Sequence, residues 1–231
     1  MKILGIDTSG RIASVAVCED DCVLAQTTIM TKLTHSQVIL PLVERVISDA
    51  GLMLSDLDGF AVANGPGSYT GLRIGISAVK AMCFSLSKEC AGVSTLHSLA
   101  FNCIDTKGII ISIMKARPEI AYWSAFKSDG NTLTRISEDT VTEISELEAF
   151  VNTIDDDIIL VGDYSLFCYD NLFKDNKNVR VAGAALRLQQ ASSLCFLAIQ
   201  GAAGFSPPDS LDASYLQITK AEKDNYLKSK A

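Results

Sequence analysis

Long hydrophobic runs are missing from this 231-residue chain, although 48% of its residues are apolar. No segment reaches the roughly 18 consecutive apolar residues that a membrane-spanning helix needs. The segment 1–7 reaches an acidic residue too early for the apolar region of a secretory signal peptide. We therefore expect no membrane attachment, a cytoplasmic location, and a chain that buries its apolar residues in one or two compact domains.

Positive charge is also scarce, because 20 Lys and Arg residues stand against 27 Asp and Glu, a formal net charge of −7. A protein that holds nucleic acid by itself usually presents a basic surface, since phosphate neutralisation supplies most of the affinity. The charge balance therefore predicts that any contact with RNA depends on another subunit.

Metal-binding and nucleophilic motifs are absent as well. The two histidines, His35 and His97, lie far apart and form no HExxH sequence, which predicts no metal site. Ser68 lies in a glycine-rich segment but not in the GxSxG elbow of a serine hydrolase. The seven cysteines form no CxxC, and the apolar neighbours of several predict free, buried thiols in a reducing compartment.

The most distinctive segment is residues 64–75, Asn-Gly-Pro-Gly-Ser-Tyr-Thr-Gly-Leu-Arg-Ile-Gly. It lies between an apolar run and a helix-like run, which predicts the order strand, glycine-rich turn, helix. Glycines allow the backbone to approach another group closely, and Ser68 or Thr70 can cap the helix. Its spacing matches neither the Walker A motif nor the dinucleotide fingerprint. The segment therefore fits either an anion-binding turn or a turn pressed against a neighbouring segment.

Periodicity in the first half predicts three antiparallel strands and then alternating helices and strands. The predicted strands are 2–7, 12–18, 22–29, 58–63 and 90–94, and the predicted helices are 36–50, 71–87 and 95–104. A capping box at Thr34 marks the start of the first helix. Helix 71–87 is apolar on nearly every side, with only Arg73 and Lys80 charged in its central part. Such a helix must be covered on nearly every side, by the protein's own core or by a partner.

The second half repeats this order, and we interpret it as a degenerate copy of the same unit. Its predicted strands are 109–114, 120–126, 132–137, 158–161 and 179–181, and its predicted helices are 145–154, 165–173 and 184–203. This predicts an N-terminal domain over residues 1–105, a C-terminal domain over 106–215 and a charged tail over 216–231.

Several segments together resemble one known family over almost the whole chain. They are Asp7-Thr8-Ser9, residues 65–75, Gly92-Val93-Ser94-Thr95-Leu96, Tyr122-Trp123 after Ala116-Arg117, and Tyr215-Leu216 followed by Lys220-Ala221-Glu222. The chain resembles the TsaB (YeaZ) family, the bacterial partner subunit in making threonylcarbamoyladenosine next to the tRNA anticodon. Residues 65–75 are the most specific part of this resemblance.

The resemblance implies an α/β, actin/Hsp70/sugar-kinase-like fold with two ribonuclease-H-like domains that contain mixed sheets. It also implies a non-catalytic role beside TsaD, the subunit that transfers the threonylcarbamoyl group to N6 of adenosine, with the small ATPase TsaE in the same assembly. ATP, ADP and magnesium then belong to the assembled complex, this chain has no cofactor, and tRNA is contacted only through the complex. By analogy, helices 36–50 and 71–87 form the partner interface, and the apolar surface predicts a homodimer when the chain is alone.

Two sets of candidate site residues follow. The expected partner interface comprises Val38, Ile39, Leu42, Val46, Arg73, Ile76, Val79, Lys80, Met82 and Cys83. The candidate anion or nucleotide loop comprises Asp7, Thr8, Ser9, Gly65, Gly67, Ser68, Thr70 and Gly71.

Asp7 has two interpretations. Related phosphotransferases place an acid near nucleotide-bound magnesium at this point, which would make the chain a small-molecule kinase or ATPase with a site between its domains. The alternative, which we favour, is a turn-forming Asp that accepts backbone N–H groups from Ser9 or Gly10. Family members commonly carry Asp-Ala-Arg where this chain has Lys115-Ala116-Arg117, which removes an acidic ligand and weakens the enzyme hypothesis further.

Overall fold

Two mixed β-sheets with helices on both faces make up the protein, whose computed structural model describes residues 1–216. The strands are β1 (Lys2–Asp7), β2 (Ile12–Glu19), β3 (Cys22–Met30), β4 (Gly59–Gly65), β5 (Glu89–Ser94), β6 (Gly108–Arg117), β7 (Ile120–Ser128), β8 (Leu133–Arg135), β9 (Thr140–Glu143), β10 (Ile158–Val161) and β11 (Val179–Val181). The helices are α1 (His35–Asp49), α2 (Tyr69–Leu86), α3 (Thr95–Phe101), α4 (Ile144–Val151), α5 (Ser165–Cys168) and α6 (Ala191–Ile199). Short 3₁₀ turns occupy Leu54–Asp56 and Pro208–Ser210, and a π-helical turn, Tyr169–Phe173, follows α5.

The first sheet has the strand order β3-β2-β1-β4-β5. The first three strands form the predicted antiparallel meander, and β4 and β5 run parallel to β1. Strand β2 is almost continuously buried, because helices cover both faces of the sheet. This double coverage explains why its sequence is apolar throughout instead of alternating.

The second sheet repeats this order as β8-β7-β6-β10-β11, which confirms the prediction of two copies of one unit. One strand was not predicted: β9 pairs with the start of β7, so that Thr140 lies opposite Trp123. Its sequence, Thr-Val-Thr-Glu, is short and mostly polar, and a pairing partner far away in sequence decides its conformation.

The last helix of each half packs on the sheet of the other half. Helix α3 contributes Leu96 and Leu99 to a core with strands β6, β7 and β10, whereas α6 contributes Leu194 and Leu197 to a core with β1, β2 and β4. The opposite face of the first sheet is covered by α1 and α2, and that of the second sheet by α4 and α5. The two halves therefore share two of their four apolar cores.

The predicted helix 184–203 is wrong in its extent, because only Ala191–Ile199 is helical. The preceding carbonyl groups accept hydrogen bonds from elsewhere in the chain: Asn102 donates to Leu186 and Leu188, and the Gly162 N–H group donates to Arg187. These tertiary contacts outweigh the helix propensity of an Ala- and Leu-rich segment.

The two helix caps predicted in the first half, at Thr34 and at Ser68, are confirmed. The Gln37 side chain accepts the Thr34 backbone N–H group at 3.0 Å, as a capping box requires. The Ser68 hydroxyl oxygen accepts the Gly71 N–H group at 3.2 Å at the start of α2. Within residues 1–216, no helix combines the length and hydrophobicity needed to cross a membrane.

Candidate functional site

The glycine-rich turn between β4 and α2 packs tightly on the turn between β1 and β2. A Cβ atom on Gly71 would lie 2.1 Å from the Thr8 carbonyl oxygen, and one on Gly67 would lie 2.5 Å from the Ser9 carbonyl oxygen. The Ser68 N–H group donates to that Ser9 oxygen at 2.7 Å, and the Thr8 hydroxyl donates to the Gly71 carbonyl oxygen at 2.8 Å. Glycine is therefore needed here for close approach between two backbone segments of the same chain.

The eight residues of the candidate anion loop do come together, but their polar groups mostly serve the protein itself. Asp7, Thr8 and Ser9 are buried. At the start of α2, the N–H groups of Gly71 and Leu72 donate to the side chain and the carbonyl group of Ser68. An anion site at a helix N-terminus needs N–H groups that are free to face a ligand. The contacts of this turn favour the second of its two interpretations, a turn pressed against a neighbouring segment.

Asp7 is the turn-forming residue that we favoured. Its Oδ1 atom accepts the Ser9 N–H group at 2.9 Å and the Ser9 hydroxyl at 2.6 Å. The side chain is fully buried, and its Oδ2 atom has no hydrogen-bond partner within the described part of the chain. Burial raises the pKa of the Asp7 carboxyl above its ordinary value, while the hydrogen bonds from Ser9 act in the opposite direction.

Gln189, from the second half, packs against the turn between β1 and β2 of the first half. Gln189 is only 1% exposed; its Nε2 atom lies 2.5 Å from the Cβ position of Gly10 and 3.9 Å from the sulfur of Met114. On the far side, the backbone N–H group of Lys115 donates to Asp163 at 3.0 Å. The Lys115 ammonium lies 5.5 Å from the centre of the Tyr164 ring. The Asp7 carboxyl is fully buried, so a nucleotide could contact it only after the residues around it moved.

An open groove with a volume of about 810 Å³ lies between α1 and α2. We call it the α1–α2 groove. It is lined by Ser36, Ile39, Leu40, Leu54, Tyr69, Thr70, Arg73, Ile74, Ser77, Ala78, Ala81, Met82, Ser85 and Leu86. A second hollow of about 580 Å³ shares Leu40, Leu54 and Met82 with it, so the apolar surface continues around α1.

The structure corrects the residues that we expected at the partner interface. Seven of them are buried in the core of the first half: Val38, Ile39, Leu42, Val46, Ile76, Val79 and Cys83. Six of these side chains pack in that core beneath the two helices, whereas Ile39, although only 2% exposed, also lines the α1–α2 groove. Three remain accessible from outside, namely Arg73, Lys80 and Met82.

Besides Arg73 and Met82, the outward-facing surface of the two helices contains residues that sequence reasoning missed. On α2, Ile74, Ala78, Ala81 and Ser85 line the groove, and on α1 Leu40 is 57% exposed. Their spacing of three or four residues matches the helical period, and it was a usable signal. The signal could not be separated from that of the core, because the core-facing residues of α2 recur with the same helical period on the adjacent face of the helix.

An ordered cluster of Arg73, Tyr69 and Tyr215 lies at one end of the groove. The Arg73 Nε–H group donates to the Tyr215 hydroxyl at 3.0 Å, and the guanidinium carbon lies 4.0 Å from the centre of the Tyr69 ring. The two tyrosine rings are 4.8 Å apart. Of the C-terminal segment used in the resemblance, Tyr215 and Leu216 are described, whereas Lys220, Ala221 and Glu222 lie outside the described residues.

The paired sheets, each with the same strand order and with exchanged final helices, define a member of the actin/Hsp70/sugar-kinase-like class. An open, mostly apolar groove lies between α1 and α2 in its first half. Comparison with known proteins identifies the family within this class. The sequence model of the family described as TsaD, tRNA N6-adenosine threonylcarbamoyltransferase, matches residues 23–203.

Two curated relatives carry the name tRNA threonylcarbamoyladenosine biosynthesis protein TsaB. The Bacillus subtilis protein is 29% identical over 225 residues, covering 96% of both chains. The protein of Buchnera aphidicola subsp. Schizaphis graminum is 33% identical over 166 residues, covering 70% of this chain and 78% of its own. A solved Pseudomonas aeruginosa structure, described as similar to the peptidase YeaZ, superposes with a TM-score of 0.81 at 22% identity, covering 94% of this chain and 99% of its own. The chain belongs to the TsaB (YeaZ) family, and most of it also matches the TsaD sequence model.

Proposed function

We propose that this chain is a non-catalytic partner subunit of the enzyme that transfers a threonylcarbamoyl group to N6 of the adenosine next to the tRNA anticodon. Its role is to bind and organise the catalytic TsaD subunit. The observation that carries this proposal is the open, apolar α1–α2 groove, together with the complete burial of the Asp7 side chain. Large exposed apolar surfaces on soluble proteins commonly mark protein interfaces.

The dimensions of the groove suit a helical partner. Helix α2 has 18 residues and extends about 27 Å, so that a partner helix of similar length can lie beside it. Small side chains at Ser77, Ala78, Ala81 and Ser85 allow close approach between helices. The match to the TsaD sequence model supports a partner of the same fold, which would present its own equivalents of α1 and α2.

The rest of the assembly follows from the same proposal. The TsaE ATPase joins the complex, ATP, ADP and magnesium act in the assembly instead of on this chain alone, and tRNA is held through the other subunits. The net charge of −7 supports an indirect role in tRNA binding. We expect this to occur in the cytoplasm and the isolated chain to form a homodimer through the same groove.

The proposal is tested with purified TsaD from the same organism, by size-exclusion chromatography and calorimetric titration. We expect a stable heterodimer at micromolar concentrations. The Ala81→Glu variant should lose most of this affinity, because it places a charge in the middle of the apolar groove. Ala149→Glu is the matched control, since Ala149 is an exposed alanine on α4, in the other half of the chain.

Two outcomes would contradict the proposal. One is that the folded chain and folded TsaD do not associate; the other is that Ala81→Glu and Ala149→Glu bind equally well. The competing hypothesis of a kinase or ATPase is tested in the same calorimeter with ATP and Mg²⁺. Tight nucleotide binding and turnover by the chain alone would favour it, and the burial of Asp7 argues against that result.

A further inference from the structure

The α1–α2 groove contains a single charged side chain. Of the residues that line it, only Arg73 carries a charge, and the others are apolar, small or hydroxyl-bearing. Among the described residues, Arg73 forms no salt bridge with an acidic side chain, whereas Lys80, two turns further along α2, lies 4.0 Å from Asp212. The charge of Arg73 is therefore not balanced locally by a carboxylate within the described part of the chain.

The position of this guanidinium group is set by its neighbours. The Tyr69 ring lies against one face at 4.0 Å, and the Tyr215 hydroxyl accepts the Nε–H group at 3.0 Å. Tyr215 in turn packs on Tyr69 and follows Ser214, whose N–H group donates to the Asn64 carbonyl oxygen at 2.7 Å. An arginine ordered in this way loses less side-chain entropy on binding than a free one, and its terminal N–H groups can form paired bonds with a planar anion.

We propose that Arg73 binds a carboxylate of the partner subunit and that this pair fixes the orientation of the partner in the α1–α2 groove. The inference rests on the proposed function and specifies the chemistry of the partner surface: an apolar helix face with one Asp or Glu side chain at the end that meets Arg73. Apolar contacts along the groove are non-directional and allow more than one register. A bidentate Arg–carboxylate pair has a defined geometry, and a misplaced partner would leave the charge desolvated and unpaired.

The test measures the dissociation constant of the complex with purified TsaD for several variants of this chain. We expect Arg73→Gln to weaken binding by about tenfold or more and to reduce the salt dependence of the affinity. Arg180→Gln is the matched control, because Arg180 is an exposed arginine on β11, in the other half of the chain; it should change the affinity by less than about twofold. Tyr215→Phe keeps the ring and removes only the hydroxyl acceptor, so a smaller loss of about two- to fivefold is expected.

A charge exchange identifies the chemistry of the partner group. Arg73→Glu is combined with single replacements of Asp and Glu by Arg on the TsaD helices equivalent to α1 and α2. One combination should restore at least part of the affinity that Arg73→Glu alone removes. Because Arg73 is exposed, these variants should keep the wild-type melting temperature, which is checked for each.

The outcomes separate this inference from the proposed function. If wild-type chain binds TsaD and Arg73→Gln binds equally well, the inference is wrong and the proposed function stands. If Arg73→Gln is weakened but no charge exchange restores binding, Arg73 does not contact a carboxylate and the inference is also wrong. A loss confined to self-association of the chain would assign Arg73 to a homodimer contact instead. If the wild-type chain does not bind TsaD, both the proposed function and the inference fail.

Discussion

Gly71 offers a direct test of whether the glycine-rich turn is a packing device. In Gly71→Ala, the added Cβ atom would lie 2.1 Å from the Thr8 carbonyl oxygen, more than 1 Å closer than the 3.4 Å of an ordinary contact. The obstructing atom belongs to the backbone, so no change of side-chain conformation relieves the contact. Either the β1–β2 turn or the start of α2 must move.

The size of the effect follows from three contributions. Overpacking of a tight site typically costs about 1–3 kcal/mol. Displacement also strains the hydrogen bonds from Ser68 N–H to Ser9 and from the Thr8 hydroxyl to Gly71, each contributing about 1 kcal/mol. The better helix propensity of alanine offsets at most about 1 kcal/mol of this. We expect the free energy of unfolding to fall by about 2 kcal/mol, and the melting temperature by about 4–8 °C for a chain of this length.

Differential scanning calorimetry and urea unfolding of Gly71→Ala measure this change. Gly183→Ala is the control, because no heavy atom lies within 4 Å of the Cβ position of Gly183. It should stay within about 0.5 kcal/mol of the wild type. Equal stability of the two variants would refute the reasoning. It would mean that the turn can accommodate a Cβ atom at residue 71, and the interpretation of the turn as an open anion site would regain support.

Three further predictions concern burial. Val79→Asp should prevent folding or leave the chain aggregated, because Val79 is 0% exposed and an unpaired buried charge costs several kcal/mol. If circular dichroism and sedimentation show a folded, monomeric variant, the burial of this helix face is contradicted. Asp7→Asn should gain stability relative to the wild type as the pH rises above about 4, the ordinary pKa of an Asp side chain in an unfolded chain. Because the pKa of Asp7 is raised in the folded state, the folded wild type keeps this proton to a higher pH than the unfolded chain does, and its free energy of unfolding falls as the pH rises. A difference in the free energy of unfolding between variant and wild type that stays constant with pH, measured by urea unfolding, would argue against the raised pKa. Only Cys22 is exposed among the seven free cysteines, so a thiol reagent should modify one residue rapidly in the folded chain; rapid modification of several would show that the cores open readily.

The sequence by itself determined the local structure of this protein and the identity of its family. The capping box of Thr34 and Gln37 depends on residues three positions apart, and the glycine-rich turn of residues 64–75 lies between a strand and a helix as its composition requires. The repeat of the β-β-β-α-β-α-β-α unit could also be predicted from local sequence, because the hydrophobic periodicity within each element indicates which of its faces is buried. Where both faces of an element are buried, as in β2, the sequence shows no periodicity and cannot indicate which neighbour covers which face.

Only the tertiary structure decided which residues of α2 face outward. Val79 and Ala81 are two positions apart on a helix that is apolar on most sides, yet Val79 packs on the first sheet and Ala81 lines the groove. The packing of Gln189 against Gly10 likewise joins two distant segments, and the position of Arg73 depends on Tyr215, 142 residues further along the chain. Contacts between such distant segments leave no periodic signal in either one, because each segment satisfies its own local pattern whether or not the other is present.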